Sequence, residues 1–180
     1  MKRIVLIALL LFACPHIYAQ RFDNGDNVLS VGLGLGSSLG GRHYSSTPGI
    51  SLQYEHGNWD AGGPGVISLG AYLGFQGFTY SAFGYHQKLN YTIIGIRSSY
   101  HYNGIHSEDV DVYGGLMLSY NIASYSNDFP SSYGYANDYG SGVGLTLYIG
   151  GRYYFTDNVA AFLELGYGIS FATIVASFKL

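Results

Sequence analysis

The chain has 180 residues, 27 of them glycine and only 11% charged, with eight basic against eleven acidic residues and a single cysteine. A mildly acidic chain without a basic cluster has no electrostatic footprint for nucleic acid, and a lone cysteine supports no disulfide framework. The length fits one domain.

The N-terminus has the build of a secretory signal. Lys2 and Arg3 form a positive n-region, Ile4–Ala13 an apolar core, and Ile17-Tyr18-Ala19 a cleavage site before Gln20. The apolar core is too short to span a bilayer as a helix, and a buried N-terminal helix is the competing reading. Leu11-Phe12-Ala13-Cys14 loosely resembles a lipoprotein cleavage box, although Phe12 fits it poorly. Residues 1–19 are therefore expected to be removed, leaving 20–180 as the mature domain. That cleavage takes Lys2, Arg3 and Cys14 with it, so no thiol chemistry remains.

No stretch of eighteen apolar residues follows, which excludes a helical membrane span. Instead the chain alternates. Leu29, Val31, Leu33 and Leu35 stand against Ser30, Gly32, Gly34 and Gly36, so one face of the strand is aliphatic and the other almost bare. Eight such strands are expected, over 28–39, 49–56, 66–78, 89–102, 110–122, 142–155, 159–168 and 171–180. Gly, Ser, Asn, Asp and Pro clusters such as Gly62-Gly63-Pro64-Gly65 separate them. A soluble sheet would place Lys, Glu and Thr on its second face. Here the aliphatic face is the better candidate for the outside, against lipid, and such a sheet must close because lipid cannot satisfy an open strand edge. The expected fold is all-β: an eight-stranded antiparallel up-and-down transmembrane barrel.

Parity assigns the two faces. Ile50, Leu52, Ile94, Ile96, Leu116, Leu118, Leu145, Leu147, Leu163 and Leu165 point outward. Outward aromatics gather at strand ends, with Tyr54, Tyr100, Tyr102, Tyr153, Phe155 and Phe178 at the rim where the first strand starts, periplasmic if that strand runs outward from the periplasm, and Phe75, Tyr120 and Tyr167 at the other. Two such girdles suit a membrane barrel. Inward parity collects Glu55, Arg97, Asp111, Arg152, Glu164 and Lys179, with Gln53 and Gln76. Three acids and three bases can neutralise one another as a cross-barrel network, and an eight-stranded barrel is only just wide enough for its own side chains. The expectation is a plugged lumen.

The runs Ile94-Gly95-Ile96-Arg97-Ser98-Ser99-Tyr100-His101-Tyr102 and Asp111–Asn121, and the close from Glu164-Leu165-Gly166-Tyr167-Gly168 to Ser177-Phe178-Lys179-Leu180, resemble small outer-membrane barrels of the OmpA and OmpX type. The likeness is to the Tyr- and Gly-rich form common in Bacteroidetes-type bacteria and covers nearly all of the mature chain. It implies a barrel in the outer membrane of a Gram-negative cell, both termini periplasmic, with lipid as its surroundings. It also implies a C-terminal strand read by the barrel-insertion machinery. Members of that family usually end in an aromatic residue, whereas this chain ends in Leu180 with Phe178 two before it.

Other constellations are weaker. Gly32-Leu33-Gly34-Leu35-Gly36 is not a phosphate loop, because no helix follows it. His101 and His106, with Glu108 and Asp109, lie about a turn and lack the fixed geometry of a metal site. His43-Tyr44-Ser45 with Glu55 faintly resembles the His-x-Ser element of lipid A deacylases, but Glu55 belongs to the far rim. No catalytic, cofactor or metal site is assigned. The long connection 123–140 carries Tyr125, Phe129, Tyr133, Tyr135 and Tyr139 among Ser, Gly and Asn, a composition suited to contact with an extracellular ligand. The expected role is structural, for envelope integrity, or interactive through the outer loops. A narrow pore for ions or small solutes is the alternative, a barrel-embedded lipid-modifying enzyme the third, and a soluble lipocalin-like barrel the alternative at the level of fold.

Overall fold

Strands form where aliphatic and small residues alternate, and they run β1 (Asn27–Leu35), β2 (Ser45–Ser46), β3 (Gly49–Asp60), β4 (Gly65–Ala82), β5 (Tyr85–Tyr102), β6 (Val110–Asn127), β7 (Gly142–Tyr154), β8 (Val159–Tyr167) and β9 (Ala172–Lys179). The computed structural model describes residues 22–36, 45–82, 85–105, 107, 109–127, 140–167 and 170–180. The signal segment with Cys14, His43, Tyr44, His106, Glu108, Phe129, Tyr133, Tyr135 and Tyr139 lie outside the described residues.

From β3 onward each strand pairs antiparallel with the next, and β1 pairs with both β3 and β9. The two-residue β2 adds only a short pairing on β4. The result is a closed eight-stranded antiparallel barrel, as the alternation implies. Closure pairs every strand of the wall on both sides, as a lipid environment demands. Toward the loop end, β6 beyond Asn121 and β7 before Leu147 have a described partner strand on one side alone.

Parity holds along the wall. Leu33, Ile96, Leu116, Leu145, Ile149, Leu163 and Ile174 are all at least half exposed, an apolar belt far beyond what a protein surrounded by water leaves bare. Residues 61–64, 103–105 and 155–158 lie at the end that carries both described termini, the terminal end, and residues 36, 47–48 and 140–141 at the other, the loop end. Tyr54, Tyr100, Tyr102, Tyr153, Phe155 and Phe178 ring the terminal end, joined by Trp59, which a bulge between Gly57 and Trp59 returns to the outside. Phe75, Tyr120 and Tyr167 ring the loop end, with exposed Phe171.

Strand lengths depart from expectation chiefly at the loop end. β4, β5 and β6 run through residues read as connections, to Ala82, from Tyr85 and to Asn127. Their ladders continue unbroken, Thr79 opposite Lys88 and Leu89 opposite Tyr125. Backbone pairing there outlasts the aliphatic pattern, because a hairpin beyond the membrane can be polar on its outer face.

The inner face is less bare than glycine suggests. Phe78, Leu89, Tyr91, Ile93, Tyr113, Met117 and Tyr148 form one buried cluster that runs from the loop end of the lumen down to Tyr113 and Tyr148 at the border of the charged half. Several inward glycines exist to seat these rings. A Cβ on Gly150 would drive into the Tyr113 ring, and one on Gly74 into Tyr72.

Candidate functional site

The chemically distinctive part of the molecule is its lumen. Toward the terminal end the inward side chains change from aromatic to charged. β3 supplies Gln53 and Glu55, β5 Arg97, Ser99 and His101, β6 Asp111 and Tyr113, β7 Tyr148 and Arg152, and β8 Glu164. Each is inward for the same reason, that a strand's side chains alternate.

These groups form one connected network. Arg152 bridges two acids, donating from Nη2 to Glu55 Oε2 at 2.7 Å and from Nη1 to Asp111 Oδ2 at 3.0 Å. Arg97 donates from Nη2 to Glu164 Oε2 at 2.8 Å and from Nη1 to Gln53 Oε1 at 2.6 Å, with its Nε 3.5 Å from Glu55 Oε1. Glu55 also accepts from Ser99 Oγ at 2.9 Å, and Glu164 from the Tyr113 hydroxyl at 3.2 Å. Both arginine Nε groups lack a hydrogen-bond partner among the described residues. Aromatic faces cover the guanidiniums instead, Tyr148 lying 4.2 Å from Arg97 Cζ and Tyr113 5.2 Å from Arg152 Cζ. Glu55, Arg97, Asp111 and Arg152 are each 1% exposed. Charges so deep are tolerable only when paired and hydrogen-bonded, and these are.

Of the six inward charges expected to share this network, five meet. Lys179 does not join them. It stands at the end of β9, where its long stem reaches the rim and its Nζ lies 2.6 Å from Asp26 Oδ2. The central group therefore holds three carboxylates and two guanidiniums, so the expected balance of three and three is not the balance inside. Gln76 also stands apart, toward the loop end, donating to the Thr47 carbonyl at 2.7 Å.

His101, inside the strand expected over 89–102 and weighed there as one ligand of a metal cluster about the Asn103-Gly104 turn, is fully buried in the lumen. Its Nδ1 lies 2.9 Å from Asp111 Oδ1 and its Nε2 3.0 Å from Ser68 Oγ. Ser68, His101 and Asp111 thus have the connectivity of a nucleophile, base and orienting acid. Two features deny them that role. Ser68 is 1% exposed, and the backbone N–H beside it, on Leu69, is spent on Asn58 Oδ1 at 3.0 Å rather than free to hold an oxyanion. Nor do Ser45 and Glu55 meet: Ser45 is exposed in β2 and Glu55 lies in the lumen.

The terminal mouth is shut by the segment preceding β1. Phe22 is fully buried and stacks on His101, centroids 3.9 Å apart and planes 16° from parallel. Asn103 anchors it, donating from Nδ2 to the Phe22 carbonyl and to Asp23 Oδ1, each at 3.2 Å. Inward parity places His101, Tyr113 and Tyr148 in the lumen from sequence alone. No periodic signal marks Phe22, which lies outside any strand. Phe22→Ala is expected to open this mouth, so that diethyl pyrocarbonate modifies His101 readily in the variant and sluggishly in wild type, as mass spectrometry of the labelled peptide would register.

Of the aromatics expected to make surface contacts, only Tyr125 is described. It is half-buried and packs against the lumen cluster that includes Phe78 and Leu89. β6 continuing to Asn127 turns it inward.

No family model and no curated protein matches the chain. Solved structures do. A de novo designed transmembrane β-barrel matches with a TM-score of 0.52 and 14% identity, over 88% of this chain and 98% of that one. Ail, the attachment invasion locus protein of Yersinia pestis, in complex with the heparin analogue sucrose octasulfate, matches with a TM-score of 0.46 and 15% identity, over 87% of this chain and 95% of that one. The Ail backbone structure in a phospholipid bilayer nanodisc gives 0.47 and 14%, over 87% and 100%. At these identities the likeness concerns fold, and the fold is that of a small eight-stranded transmembrane β-barrel.

Proposed function

We propose that this chain is a non-catalytic, non-conducting barrel of the outer membrane, serving the envelope as a structural element or through contacts made at its loop end. The observation that carries the reading is the filled lumen. Aromatic and aliphatic side chains occupy its loop-end half, a paired ionic network its terminal half, and Phe22 its mouth. Nothing in this arrangement favours the pore or the lipid-modifying enzyme, since each needs a group that solvent or substrate can reach.

The outer membrane is the location that fits a closed barrel with an apolar belt preceded by a signal-like segment. Lipid is then the partner of the belt, and β9 with Phe178 and Leu180 is the strand offered to the insertion machinery. Surface contact with an extracellular ligand falls to Phe129, Tyr133, Tyr135 and Tyr139, with the exposed part of Tyr125. The test is electrical. Purified protein in planar bilayers is expected to give no steady conductance; reproducible ion-selective steps would replace this reading with the pore.

A further inference from the structure

Most of the outer wall is a continuous aliphatic belt, but between β5 and β8 it is indented. Gly114 on β6 and Gly151 on β7 occupy outward positions whose neighbours along the strands are Val112, Leu116, Ile149 and Tyr153. They floor a groove of about 510 Å³ walled by Tyr100, Tyr102, Val112, Ile149, Leu163 and Leu165. A second depression, of about 680 Å³, shares Gly114, Ile149 and Leu165 with the first and continues to Tyr167 and Phe171. Together they make one trench running from the terminal girdle to the loop-end girdle.

The backbone does not require these glycines. Neither has a positive φ. A Cβ on Gly151 would meet nothing within 4 Å, and one on Gly114 nothing closer than 3.5 Å. Glycine weakens a strand, and where no turn or close packing asks for it, it marks a place where something else approaches the backbone. The trench lies within the belt that meets lipid and is continuous with it. At its terminal end stand two phenols, at the depth where headgroups lie. The hydroxyls of Tyr100 and Tyr102 have no hydrogen-bond partner among the described residues, whereas Tyr54 of the same girdle donates to Asn27 Oδ1 at 2.6 Å.

We propose that this trench holds one lipid, its acyl chain lying over Gly151 and Gly114 and its headgroup oxygens accepting from the Tyr100 and Tyr102 hydroxyls. The inference rests on the wall facing lipid, not on the lumen being closed. A second copy of the chain is the less favoured occupant, because two apolar walls in lipid gain no hydrophobic drive from meeting.

The experiment is native mass spectrometry of barrels released by mild detergent from vesicles of phosphatidylethanolamine. Wild type is expected to carry one retained phosphatidylethanolamine. G151L, and more completely G114L/G151L, should lose it while keeping the gel-mobility shift on boiling that marks a folded barrel. Y100F/Y102F should retain less lipid than wild type. Equal retention by wild type and the filled variants overturns the proposal. So does a wild-type dimer that G151L dissociates, which would give the trench to a second copy. A barrel that conducts yet keeps its lipid would overturn the closed-lumen reading alone.

Discussion

Replacing Arg152 by alanine is expected to destabilise the barrel by about 3–5 kcal/mol, the usual consequence of leaving buried charges without their partner. Arg152 holds Glu55 at 2.7 Å and Asp111 at 3.0 Å, and all three are 1% exposed. Its loss strands two carboxylates where water cannot reach them. Lysine at the same place should recover only part of the loss, because a single ammonium cannot reproduce a fork that serves two acids from different strands. Lys179→Ala is the comparison. Its partner Asp26 lies at the rim, where removing an ion pair typically costs about 0–1 kcal/mol. Urea unfolding in lipid vesicles, followed by tryptophan fluorescence and gel mobility, would measure all three. Similar small losses for Arg152→Ala and Lys179→Ala would show that the lumen is wet.

Leu116→Arg tests the other face. Leu116 is 51% exposed, sits opposite Leu147 and Ser98, and lies midway between Val112, near the terminal girdle, and Tyr120 of the loop-end girdle. An arginine facing mid-bilayer lipid is expected to cost about 2–4 kcal/mol, with Ser126→Arg, near the loop end of β6, almost silent. The same unfolding measurement applies. Equal tolerance at the two positions would mean that the aliphatic face does not meet lipid.

The outside of this protein was legible in its sequence because lipid imposes one rule on every outward residue. Leu33, Ile96, Leu145 and Ile174 satisfy that rule strand after strand, so parity alone orients eight strands. The inside was legible in composition but not in pairing. Which acid meets which base depends on strand stagger, and that is how Lys179 came to clasp Asp26 while Glu55 found Arg152. His101 shows the same limit in another form. The strand expected over 89–102 ends where β5 ends, and parity turns the imidazole inward, but its partners Asp111 and Ser68 follow only from the register of β4, β5 and β6. Phe22 was beyond reach, since a side chain that plugs a mouth from outside any strand leaves no period to detect.

The ionic network also constrains how the chain can come together. Glu55 and Arg152 are 97 residues apart, and Arg97 waits 67 residues for Glu164. While only β1 to β6 are in place, Glu55 and Asp111 face a lumen in which Arg152 has not arrived. That partial barrel holds one guanidinium, Arg97, for two carboxylates, and expelling water from the acid left over is costly. Drying of the interior is therefore expected to coincide with the docking of β7 and β8, which bring Arg152 and Glu164. A polar centre of this kind makes completeness self-checking: an assembly without its last strands is expected to close wet.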